Sequence, residues 1–197
     1  MKVQDVELFL HVMGVIAVFV GFGTLLLATT ALTRASRVEH VRGIMAPLVA
    51  GRRIGFEHIS VIDVIVVAGV LLIATTGLIM ARADDYVWSS WVEVATTSFL
   101  LLAPVGPLVI NPRLHALAGE AARQPDGPLP ASVRARIEDP VLALAMRCSI
   151  AVLVGIVLLM TTKPTLLISA AVIVATLIVG AALSLRFRTT RADQPGS

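Results

Sequence analysis

The chain has 197 residues, of which 57% are hydrophobic and only 15% charged. Its mean hydropathy is +0.90, and soluble domains carry about 25% charged residues, so a water-soluble domain of ordinary composition is excluded. The net charge of +3 does not point to nucleic acid, because the bases stand in loops beside apolar runs, as the positive-inside rule describes.

About 20 consecutive apolar residues cross a hydrocarbon core, and five such runs occur. The first covers about 6–32. It is longer than a signal-peptide core and is followed by arginines, which reads as a retained anchor. From Arg34 onward, Val38, Val41, Ile44, Met45 and Leu48 recur at helical spacing. This predicts an amphipathic helix over about 34–50, lying on the cytoplasmic membrane surface. Arg52 and Arg53 follow, placed to meet anionic head groups.

The second span is expected over about 58–81 and the third over about 86–110. A short polar turn around Arg82 joins them, so they pair antiparallel. Tyr86, Trp88 and Trp91 form an aromatic belt at the outer interface. Pro104 and Pro107 kink the inner half of span three. A short surface helix over 114–123 is broken by the run from Pro125 to Pro130. Asp139 and Pro140 read as the N-cap and first residue of span four. That span runs over about 141–160, and span five over about 165–185. Residues 191–197 read as a disordered polar tail. One integral membrane domain is expected over 1–190.

Thirteen bases, all arginines, fall on one side of these spans and three (Lys2, Arg82, Lys163) on the other. This predicts an outside amino terminus and a cytoplasmic carboxyl terminus. The expected fold is therefore all-α, a polytopic bundle of five transmembrane helices. A single cysteine, Cys148, excludes an intrachain disulfide.

Ionisable groups within membrane segments are costly and mark candidate sites. Glu7 and His11 stand four residues apart on one face of span one, and Glu93 lies at a similar depth in span three. Together they form an expected outer polar site, able to bind a divalent metal, relay protons or hold a cationic solute. Asp63 and Arg147 lie at similar depths near the inner edge and read as an intramembrane ion pair. His58 and His115 fall near the cytoplasmic interface, where two imidazoles from different helices would suit haem. No Gly-rich phosphate loop, nucleophile elbow or zinc motif occurs, so enzyme chemistry has no motif behind it.

Several short motifs carry a family likeness: Leu8-Phe9-Leu10-His11-Val12-Met13-Gly14, then Phe19-Val20-Gly21, and Thr76-Gly77-Leu78 ahead of Trp88 and Trp91. Asp139-Pro140 and the stretch from Leu159 to Pro164 add to it. In these the chain resembles an uncharacterised bacterial family of predicted integral membrane proteins of unknown function. The first span alone is similar to the copper-resistance D membrane family, which implies a copper role for His11. The leading reading is a multi-pass inner-membrane protein that handles an ion or small solute, or assists such a transporter. The alternatives are a haem- or copper-binding redox protein, with His11, His58 and His115 as ligands, and a structural subunit of a homo-oligomer or membrane complex.

Overall fold

The computed structural model describes residues 3–54, 57–83 and 89–192, with side chains outside residue 3, 51–59 and 186–192. Among the described residues five helices are long and apolar enough to cross a membrane, and they form an all-α bundle. Helix α1 (Val3–Leu32) and α3 (Val61–Ala83) pair closely. So do α7 (Pro140–Thr162) and α8 (Leu166–Ala192). Between them α4 (Ser90–Leu102) leans on α7 and α8, and α1 touches α7. The helices are apolar on all sides: Leu27, Leu101 and Leu167 are each more than 70% exposed. In water so much bare aliphatic surface would aggregate; in lipid it meets its own kind.

Without a hydrophobic drive between helices in lipid, close approach depends on small residues. A Cβ added to Gly14 would stand 2.9 Å from the Gly69 carbonyl oxygen, and one added to Gly69 would stand 2.9 Å from the Gly14 carbonyl oxygen. The two backbones therefore touch. The α7–α8 pair uses the same device. A Cβ on Gly155 would meet Thr176 at 2.9 Å, and one on Gly180 would meet the Cys148 backbone at 2.9 Å. The tight turn between α7 and α8 closes through Lys163, in the left-handed conformation, whose N–H reaches the Leu159 carbonyl. Lys163 Nζ then sits 5.8 Å from the centre of the Trp91 ring. This contact places the start of α4 and the α7–α8 turn at one end of the bundle.

At the other end stands a small headpiece. Helix α2 (Val38–Val49) buries Val38, Val41, Met45 and Leu48. That is the amphipathic face foreseen in the sequence, but lipid does not cover it. Its partner is α5 (Asn111–Arg123), which buries Leu114, Leu117 and Ala121 against it, with Val133 of α6 (Ala131–Ile137) completing the core. The physical reason is that α5 presents an apolar stripe of its own, and two stripes bury more surface against each other than either does alone. Backbone bonds fasten the connection: Val38 N–H to the Gly127 carbonyl at 3.0 Å and Leu129 N–H to the Ser36 carbonyl at 3.1 Å. Gly127 holds φ +151°, a conformation glycine adopts readily and L side chains rarely do.

Three boundaries differ from the sequence reading. Span two begins at Val61 and not at His58, because β1 (Gly51–Ile54) pairs antiparallel with β2 (Glu57–Ser60) and takes up the residues before it. Span three does not stop at Ile110. A π-helical turn over Gly106–Ile110 carries it into α5, so the prolines deform the helix without ending it. Helix α8 continues to Ala192, past the expected end of span five. The start of the third span at Tyr86, with Trp88, lies outside the described residues, as does the tail from 193 onward.

Candidate functional site

The polar groups of the spans fall into separate places. Near the α7–α8 turn end, His11 is 9% exposed on α1. Its Nδ1 lies 3.1 Å from Thr76 Oγ1 on α3. The Thr76 hydroxyl has one proton, and that proton goes to the Leu72 carbonyl one turn back. Thr76 must therefore accept from His11, so Nδ1 carries the hydrogen. In a neutral ring this leaves the lone pair on Nε2. Gly77 makes room for the imidazole: a Cβ there would stand 3.2 Å from His11 Cε1. The Thr76-Gly77 pair thus orients one edge of the ring and clears space for it.

Glu7 is half-buried one turn from His11, while Glu93 is exposed in the first turn of α4. The side chain that meets His11 is Thr76. Among the described residues, no three His, Cys, Asp or Glu converge to hold a metal ion. His115 is half-buried on α5, in the headpiece end, and the side chain of His58 lies outside the described residues. His11 stands toward the opposite end from both.

Asp63 has a role other than the one expected of it. Its Oδ2 accepts from the Ser60 backbone N–H at 2.9 Å and from the Ser60 hydroxyl at 2.7 Å, while Asp63 N–H donates to Ser60 Oγ at 3.1 Å. This is a reciprocal capping box at the start of α3, with the acidic residue three positions after the serine. The other oxygen accepts from Asn111 Nδ2 at 3.0 Å, which ties α3 to the start of α5. The carboxylate thus accepts from three donors, and the expected pair with Arg147 is not among the ion pairs of the described residues. Arg147 is half-buried on α7. The spacing Ser60-x-x-Asp63 would have revealed the cap; nothing in the sequence pointed to Asn111.

Two further acidic groups organise the headpiece. Asp139 caps α7, accepting from Val141 N–H at 2.8 Å, and pairs with Arg113 Nε at 3.0 Å. Glu39 pairs with Arg37 and accepts from Gly127 N–H at 3.2 Å. The hydrogen bond from Arg37 is the main reason the Glu39 carboxyl is pulled down to about 2. The same bond pushes the Arg37 guanidinium up. Arg42 reaches Asp126 across the same seam.

Residues 8–164 match the family of predicted integral membrane proteins DUF2269. The chain belongs to that family. The matched stretch runs from the turn of α1 that carries His11 to the α7–α8 turn, so it takes in both the His11–Thr76 contact and the whole headpiece. Membership makes the protein an integral, multi-pass membrane protein, as its five apolar helices require. No curated protein and no solved structure matches the chain.

Proposed function

We propose that this protein handles an ion or small solute in the bacterial inner membrane, through an outer polar site centred on His11. The carrying observation is the His11–Thr76 contact. A histidine whose Nδ1–H is held by a second residue presents Nε2 in a defined direction, which is how metal-ligating histidines are commonly prepared. Glu7 lies one turn away on the same helix, and Glu93 would stand at the mouth. With so few donors the site suits a transiently held ion, one that keeps some of its own ligands, better than a closed structural centre. The distribution of arginines supports an outside amino terminus and a cytoplasmic headpiece. That orientation would make the His11 end face the periplasm and bring Arg52 and Arg53 to anionic head groups.

The test is calorimetric titration of Cu²⁺ and Zn²⁺ into the detergent-purified protein. Binding by the wild type, loss in His11→Ala, and affinity about 10–100-fold lower in Thr76→Val are the expected results. Equal binding by His11→Ala and wild type would refute the assignment. The absorption spectrum of the same sample is the check on haem; a Soret band at one haem per chain would replace this reading. Cysteine labelling from either side of the membrane fixes the orientation.

A further inference from the structure

A second polar group in the spans stands at the middle of the bundle, apart from the His11 site. Several hydroxyls elsewhere in the membrane helices give their proton to a carbonyl one turn back: Thr24 to Val20, Thr30 to Leu26, Thr75 to Leu71, Thr162 to Leu158. Ser149 of α7 does not. It is 1% exposed, and its Oγ has no hydrogen-bond partner among the described residues. Buried polar atoms nearly always find a partner, so a missing one asks for an occupant.

Ser149 lines a cavity of about 240 Å³ between α4, α7 and α8. Ser98, Leu101 and Val105 of α4, Val152 of α7 and Leu177 of α8 form much of the rest. The neighbouring thiol of Cys148 is directed at the Leu177 carbonyl. No charged side chain lines the space, which argues against an ion or a charged head group. Ser149 lies nine residues into α7, or about 14 Å along it, near the midplane of a bilayer whose hydrocarbon core is about 30 Å thick. Directly after Val105 the helix passes into the π-helical turn over Gly106–Ile110, a deformation often found beside functional sites. A cavity of about 150 Å³ holds benzene, so this one has room for a fused pair of rings.

We propose that this cavity binds a neutral, mostly apolar molecule drawn from the bilayer, about two fused rings in size and carrying one oxygen that hydrogen-bonds the Ser149 hydroxyl. The probe pair is β-naphthol and naphthalene, which differ by one hydroxyl. Binding to the full-length protein is read as the shift in thermal unfolding at one fixed detergent concentration, so that partition into micelles is common to every sample. The wild type should bind β-naphthol about fivefold more tightly than naphthalene, the ordinary worth of one hydrogen bond. Ser149→Ala should erase that preference while leaving naphthalene binding intact. Leu101→Trp, a change at an exposed position that leaves folding intact, should weaken both ligands by filling the cavity. If β-naphthol shows no preference in the wild type, if Ser149→Ala keeps the preference, or if neither compound binds, the proposal is overturned.

Discussion

Replacing Gly69 by alanine tests how closely α1 and α3 pack. The added Cβ would lie 2.9 Å from the Gly14 carbonyl oxygen, 2.9 Å from Val18 Cγ2 and 3.1 Å from Ala17 Cβ. Carbon atoms pack comfortably at about 3.5–4.0 Å. Two of the three neighbours belong to a helix backbone or its first side-chain carbon and cannot rotate away. The helices must separate by roughly 0.5–1 Å, and a gap of that size forfeits about a quarter to a half of each dispersion contact. Overpacking of this kind costs about 1–3 kcal/mol. Gly23→Ala is the control, because a Cβ there meets nothing within 4 Å. The assay is SDS titration of the protein in mixed micelles, followed by fluorescence of its two tryptophans. Gly69→Ala should lose about 1–3 kcal/mol, and Gly23→Ala should stay within about 0.5 kcal/mol of wild type. Thr76 lies two turns along α3 from Gly69, so the same separation should loosen its hold on His11 and weaken ion binding. A Gly69→Ala protein as stable as wild type would refute the close crossing.

Double-mutant cycles at the start of α3 should show Asp63 coupled to Asn111 and independent of Arg147; an additive Asp63–Asn111 pair, or a coupled Asp63–Arg147 pair, would reverse the assignment. Asp139→Ala should cost about 1–2 kcal/mol, because it removes the cap of α7 and the partner of Arg113 together; urea or SDS unfolding measures it. Glu39 has its carboxyl pulled down to about 2, mainly by Arg37, so its stabilising contribution is complete above the usual carboxylate range and fades as pH falls toward 2. Protection of the Val38 and Gly127 amides, taken against their intrinsic exchange rates, should therefore be insensitive to this group between about pH 5 and 8 and fall in acid, and Glu39→Gln should remove that acid step.

Five membrane helices, their rough limits and the cap of α7 were legible in the chain because those properties are local. An apolar run of sufficient length must be a helix in lipid, where its backbone has no other partner. Asp139-Pro140 carries its own geometry. The amphipathic stripe of α2 was equally legible, but the surface that covers it was not: an apolar face on paper is the same whether lipid or α5 lies against it.

What only the tertiary structure decided is which polar groups meet. Depth along the spans placed Asp63 near Arg147 and His11 near Glu93, but equal depth leaves the rotation of each helix open. That rotation is set by where small residues let backbones touch, at Gly14 with Gly69 and at Gly180 with Cys148. It turns His11 onto Thr76, leaves Glu93 exposed, and brings Asn111 to the capped carboxylate of Asp63. In lipid every face of a helix is apolar, so the hydrophobic pattern that reveals orientation in a soluble protein says little here, and the packing of the smallest side chains decides instead.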